Sequence, residues 1–173
     1  MMGMSSPEWS VYLHDELGVP MEPEAINRDV VGRMLKGYER ELPLLPGAAD
    51  AVLALAARWP LGLASSSNRP LIDAVLELAG LERFFQVTVS SEEVARGKPS
   101  PDVYVEAARR LRVEPERCAA VEDSHSGIRS ARAAGMRVVA IPNPSFPPDE
   151  EALAAADVVL ASLAELTPAA IER

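Results

Sequence analysis

The stretch CAAVEDSHSGIRSARAAGM, residues 118–136, decides how this chain is read. It starts with a short apolar run, residues 119–121, that meets two carboxylates in succession, Glu122 and Asp123. A Ser-His-Ser-Gly turn follows, then a small-residue helix that closes at Gly135. A buried strand that delivers an acidic pair straight into a helix start is where open α/β sheets build ligand sites. Two adjacent hard oxygen ligands suit Mg²⁺, which takes one or two carboxylates and completes its shell with water and phosphate oxygens. The same residues read equally well as a turn in which Asp123 or Ser124 caps the helix. By itself the stretch divides evenly between a metal site and a capped helix.

Working outward, short apolar runs alternate with helical stripes. The spacing predicts helices over 48–59, 71–78, 102–111 and 124–134, a short helix after the proline-rich loop 143–148, and a last one over 168–171. Strands are predicted over 61–64, 86–90, 118–121, 137–141 and 158–160. Strands of four or five residues between helices imply right-handed βαβ units. Their continuous apolar character implies burial on both faces. The expected fold is therefore α/β, with a mostly parallel, Rossmann-like sheet and helices on both faces. Ahead of it, Trp9, Tyr12, Leu13 and Leu17 recur at helical spacing after Ser6-Pro7, and Ile26, Val30, Met34 and Tyr38 form a second stripe. These read as a helical hairpin whose aromatics face a core, with His14 on the surface. The segment LPLLPG, residues 42–47, is the clearest boundary. It divides a two-helix unit over 1–45 from an α/β core over 46–173.

Composition narrows the function. A net charge of −9 with no basic stripe argues against nucleic acid as a partner. The first residues lack the charged and apolar regions of a secretory signal, and no apolar run approaches a bilayer span. One cysteine, Cys118, in a predicted buried strand excludes a disulfide framework and fits a reducing compartment. The expectation is a soluble cytoplasmic protein without a membrane partner. Lysine occurs only at Lys36 and Lys98, every other cation being arginine, which points at Lys98 as a place that needs a compact ammonium.

Three features fall at strand or loop ends on one edge of the expected sheet. Ser65 follows the strand LGLA, and its hydroxyl with the backbone N–H groups of Ser66 and Ser67 could hold a phosphate oxygen. Capping by Ser67 or Asn68 explains the same turn. Lys98 lies in ARGKPSPDVY, where Pro99 and Pro101 stiffen the backbone around an ammonium suited to a phosphoryl group. The acidic pair Glu122–Asp123 is the third.

In this order and spacing, ASSSN, GKPSPDVY and VEDSHSGIRSARAAG resemble the haloacid dehalogenase superfamily, and within it the β-phosphoglucomutase-like phosphatases and mutases with a helical cap. The resemblance implies roles residue by residue. Ser65 would bind phosphate together with Ser66, and Lys98 would balance phosphoryl charge as a catalytic group. Asp123 would ligate Mg²⁺, with Glu122 a second ligand or the holder of a metal-bound water. Ser67 and Asn68 would neighbour the substrate, and the hairpin would be the latter part of a cap. The acidic pair resembles the metal-dependent phosphoryl-transfer members rather than the metal-free dehalogenases. The implied function is Mg²⁺-dependent phosphoryl transfer or hydrolysis on a small phosphorylated metabolite, a sugar phosphate.

The family's D-x-D, whose first Asp is the nucleophile and whose second is the usual acid–base residue, does not occur in these 173 residues. The resemblance implies that its strand belongs between those of Ser65 and Asp123. Without it those two would stand about 10 Å apart, with backbone N–H and C=O groups facing a gap. Two expectations follow. Either the chain starts inside a longer, monomeric enzyme, or it is a short form that binds phosphate or Mg²⁺ without turnover and self-associates.

Overall fold

Both kinds of periodicity become structure in the computed structural model, which describes residues 4–172; the residues before Met4, with the reading placed on them, and Arg173 lie outside it. Two helices lead, α1 (Ser6–Asp15) and α2 (Pro23–Tyr38). Then come α3 (Ala48–Ala56), β1 (Leu61–Ser65), α4 (Arg69–Ala79), β2 (Phe85–Ser90) and α5 (Asp102–Leu111). The chain continues through β3 (Ala119–Glu122), α6 (His125–Ala133), β4 (Arg137–Ala140), α7 (Glu150–Ala154), β5 (Val158–Val159) and α8 (Pro168–Glu172). Proline inside the first turn opens α1, α2 and α4, where a missing N–H leaves no helical bond unmade. Gly80, at φ +66°, and Gly135, at φ +80°, take the left-handed conformation that closes α4 and the turn after α6.

Every strand pairing is parallel. Among the described residues the strands form two separate sheets, β1–β2 and β3–β4–β5. What joins them is helix packing. On one face, Ala49 and Val52 of α3 pack with Leu63 and Ile72, while Ala51 and Leu55 of the same helix pack with Val139, Ile141 and Leu166. On the other face, Val103, Ala107 and Ala108 of α5 share a buried cluster with Val89, Ala120, Ile128 and Val138. Two helix layers thus hold the half-sheets as one α/β unit.

The strands do not share one burial pattern. Val138, Val139 and Ala140 of β4 are fully buried, as a doubly covered strand requires. The expected burial of β1 and β3 on both faces needs correction. In β3 only Ala120 and Glu122 are buried while Ala119 and Val121 are exposed, and β1 is nowhere fully buried. The reason is the break in the sheet, since β1 and β3 both line an open cleft.

The hairpin also differs from its expectation. Tyr12 and Leu17 are exposed, and the fully covered residues of α1 are Ser6 and Ser10. The first turn of α1 meets a polar group, with Ser6 Oγ donating to Asn68 Oδ1 at 2.6 Å, and the helix packs on α2. Ile26 is the buried residue of the α2 stripe, and α2 packs against α4. His14 is half-buried rather than free on the surface, with Nδ1 2.8 Å from the carbonyl oxygen of Met21 in the connecting loop.

Candidate active site

Ser65 is the last residue of β1 and Glu122 the last of β3, so parallel strands bring both to the same end of the fold. There Ser65, Ser66, Ser67, Lys98, Glu122 and Asp123 line one pocket of about 380 Å³. Three motifs spread over nearly sixty positions of sequence thus converge on one concave surface. Asn68 is the exception: it is buried and points away from this pocket into the contact with α1 and α2.

Lys98 and Glu122 form a buried ion pair, each 8% exposed. The Lys98 ammonium donates to Glu122 Oε1 and to the carbonyl oxygen of Ala64 at 3.2 Å. Tyr104 Oη donates to the same carboxylate oxygen at 2.5 Å. The other oxygen, Oε2, accepts from Asp123 N at 3.2 Å and from Ser124 Oγ at 3.1 Å. Burial alone would push the Glu122 carboxyl up, but the Lys98 charge and the hydrogen bonds of Lys98 and Tyr104 outweigh it and hold the group below its ordinary range. The same carboxylate has the opposite effect on its neighbour: burial first, then the Glu122 charge, raise the Tyr104 hydroxyl well above its ordinary value, so it stays a donor.

The Glu122 carboxylate lies directly over Gly127 at the start of α6. A Cβ at that position would sit 1.9 Å from Glu122 Oε2, so only glycine fits beneath it. Ser124 completes the turn: its hydroxyl donates to Glu122 and accepts from Gly127 N at 3.1 Å, capping α6. Capping and carboxylate placement are therefore one arrangement, with Ser124 as the cap.

Asp123 is different. Burial raises its pKa above the ordinary range, the Glu122 charge adds to that, and a hydrogen bond with the Asn143 side chain opposes it. A half-buried carboxylate beside a second one favours a cation. No cluster of three or more His, Cys, Asp or Glu side chains is arranged to hold a metal among the described residues. Mg²⁺ does not require one, since it is held through one or two carboxylates with water and phosphate oxygens completing the shell. Asp123 fits that donor set. Glu122, with both oxygens occupied by protein donors, is less available.

The serine turn is held from below. Ser65 Oγ accepts from Ser67 N at 3.1 Å, which leaves its own proton to donate. Ser90 Oγ donates to the Ser67 carbonyl at 2.7 Å and Ser91 Oγ to that of Ser66 at 3.2 Å. Glu92 accepts from Asn68 Nδ2 at 2.8 Å and from Arg69 N at 2.9 Å, fixing the start of α4.

Sequence reasoning missed Tyr104, Gly127, Asn143 and the Ser90–Glu93 turn. The last was detectable, because S-x-x-E at a strand end is a capping box, and both of its bonds are present.

Comparison with known proteins agrees with this geometry. A family model described as haloacid dehalogenase-like hydrolase matches residues 3–135. Hexitol phosphatase B of Escherichia coli (strain K12) is 38% identical over 149 residues, 86% of this chain and 66% of that protein. CbbY of Cereibacter sphaeroides is 39% identical over 132 residues, 74% of this chain and 56% of that protein. The chain thus spans a little under two thirds of the first relative and just over half of the second. Among solved structures, CbbY from Rhodobacter sphaeroides in complex with phosphate superimposes with a TM-score of 0.85 at 31% identity, over 99% of this chain and 79% of that one.

Proposed function

This chain belongs to the haloacid dehalogenase-like hydrolases, and from that premise we propose that its pocket takes part in Mg²⁺-dependent hydrolysis or transfer of the phosphoryl group of a small phosphorylated metabolite, a sugar phosphate. One observation carries the reading: Ser65, Lys98 and Asp123 converge at the strand ends in a single pocket. The similarity to hexitol phosphatase B and CbbY supports the sugar-phosphate class.

The chain's own residues supply positioning and charge. Ser65 Oγ, fixed by Ser67 N, donates its proton to a phosphoryl oxygen, and the Ser66 N–H adds a second donor at the same turn. Lys98, held by Glu122 and Ala64, places a positive charge at the pocket wall, where charge on phosphoryl oxygens is neutralised as the bond to the leaving group breaks. Asp123 would hold the Mg²⁺, which when bound supplies further neutralisation of oxygen charge. Glu122 orients Lys98. Attack on phosphorus is assigned to no side chain of the pocket. Residues 1–45 are proposed as part of a cap over this site and 46–173 as the core.

The absence of any D-x-D among the 173 residues favours a second reading, in which the chain by itself binds phosphate and Mg²⁺ without turning substrate over. Calorimetry with inorganic phosphate and MgCl₂, beside a turnover panel of hexitol and ketose phosphates, separates the two. Binding with Mg²⁺-dependent turnover supports the first reading, and Lys98→Ala and Asp123→Asn should then each lower turnover by about 10²-fold or more. Binding without turnover supports the second. No phosphate binding removes both.

A further inference from the structure

We propose that Ser130 is a positioning residue for Lys98, tying the loop that carries the lysine to α6 so that its ammonium stays on Glu122 at the pocket wall. The inference rests on the reading above of Lys98 as the charge that meets a phosphoryl group. It adds a side chain that does not line the pocket.

The Lys98 loop has few bonds of its own to give. Pro99 and Pro101 lack the N–H that would tie them to a neighbour. Ser100 N donates to Gly97 O at 3.0 Å, which closes a turn around the lysine. Such a turn fixes the local shape of the loop and not its distance from the rest of the fold. Arg96 joins Asp102 through bonds of 3.2 and 2.8 Å, but both ends of that pair belong to the loop and its flank. The Arg96 side chain is also 68% exposed, so the pair contributes little.

The anchor comes from α6. Ser130 is fully buried, and its hydroxyl donates to the Ser100 carbonyl oxygen at 2.6 Å. A serine inside a helix ordinarily faces solvent or bonds back to the carbonyl four residues before it. Ser130 instead gives its single proton to a loop 30 positions away in sequence. The bond lands two residues from Lys98, at the root of a flexible four-carbon side chain.

The same helix supports the other half of the ion pair. The Glu122 carboxylate lies over Gly127, and Gly127 and Ser130 are three residues apart, neighbours on one face of α6. One position on that face thus receives the carboxylate and the next receives the lysine loop. Lys98 Nζ bridges them, donating to Glu122 and to the Ala64 carbonyl oxygen. Because both supports sit within a single helical turn, α6 gauges the reach of the ammonium. Loss of the Ser130 hydroxyl frees one support and leaves the other in place.

The chain has two lysines and Lys36 is exposed, so in the whole chain labelled with 15N-lysine the slowly exchanging ammonium signal belongs to Lys98. Ser130→Ala, a change that a helix interior accepts, should speed proton exchange of that ammonium by about tenfold, the weight of one hydrogen bond. It should weaken calorimetric binding of inorganic phosphate by about the same factor. Ser6→Ala is the control: it too removes a fully buried hydroxyl with a 2.6 Å bond, made to Asn68 outside the pocket, and should leave Lys98 exchange unchanged. Unchanged Lys98 exchange in Ser130→Ala would overturn the proposal. So would equal acceleration in Ser6→Ala, or faster exchange of the Val138 and Val139 amides beside it, because the effect would then be a general loosening. Faster Lys98 exchange with unchanged phosphate affinity would overturn it as well, since the tie would serve stability alone. A wild-type chain that binds no phosphate removes the phosphoryl reading of Lys98, and the exchange rates then decide by themselves whether Ser130 positions it.

Discussion

Glu122 is held by charge, by hydroxyls and by backbone N–H groups at once, and its partner Lys98 is as deeply buried as it is. Removing one member of such a pair leaves the other charged in a low-dielectric site, a loss of about 3–5 kcal/mol, whereas removing both leaves no orphan charge. Lys98→Met and Glu122→Gln should therefore each lower the urea-unfolding free energy by about that much, and the double variant should be more stable than the sum of the two losses implies. Gly127→Ala belongs to the same series, because its methyl group would force the carboxylate off Lys98. Additive losses in the cycle would show that the pair is not coupled. At this scale the sequence was legible where a charge stands out: Lys98 because nearly every other cation is arginine, and Glu122 and Asp123 because they end an apolar run. Tyr104 did not, because a tyrosine on an apolar helix stripe reads as core. Gly127 did not either, because a glycine at a helix start reads as part of the turn, and only the carboxylate above it shows what it is for.

Among the elements, the turn Ser90–Glu93 ties most together. Burial pushes the Glu93 carboxyl up, but the Ser90 N–H and the Arg69 and Arg110 guanidiniums outweigh this and hold it at about 2, from an ordinary 4.5. A carboxylate depressed on folding stabilises the protein fully above its unfolded pKa, and that contribution is lost as pH falls from about 4.5 toward 2. Its side chain is 31% exposed, so solvent screening limits the effect to about 1 kcal/mol. Glu93→Gln should be less stable than wild type by about that amount at pH 7, with the difference vanishing near pH 2, as read by urea unfolding at both values. A difference independent of pH would assign the loss to packing. The same region shows why α1 was misread. Its periodicity placed Trp9, Tyr12, Leu13 and Leu17 toward a core, but only Trp9 and Leu13 are half-buried, Tyr12 and Leu17 are exposed, and the first turn of the helix meets Asn68. A hydropathy stripe reports what a helix carries, and the identity of its partner face lies in residues 62 positions away.

For the molecule as a whole, the alternation of helix and strand was legible because each period is local, and the parallel direction followed from the crossovers. The division into two sheets was expected from the resemblance and not from any local pattern, since β1 and β3 are as apolar as an intact central pair. That division sets an order of opening. Amides of β4, buried and paired on both sides, should exchange most slowly, and those of Ala119 and Val121 on β3 fastest among strand residues in the free chain. Uniform protection across β3 would contradict the division.

Helix α3, which packs on both half-sheets, gives this arrangement a mechanical meaning. In a continuous sheet the distance between two catalytic strands is a ladder constant, as stiff as a row of hydrogen bonds. Among the described residues the two half-sheets are instead joined through α3 on one face and α5 on the other. The width of the pocket is therefore set by side-chain packing of α3 and α5 on the two half-sheets.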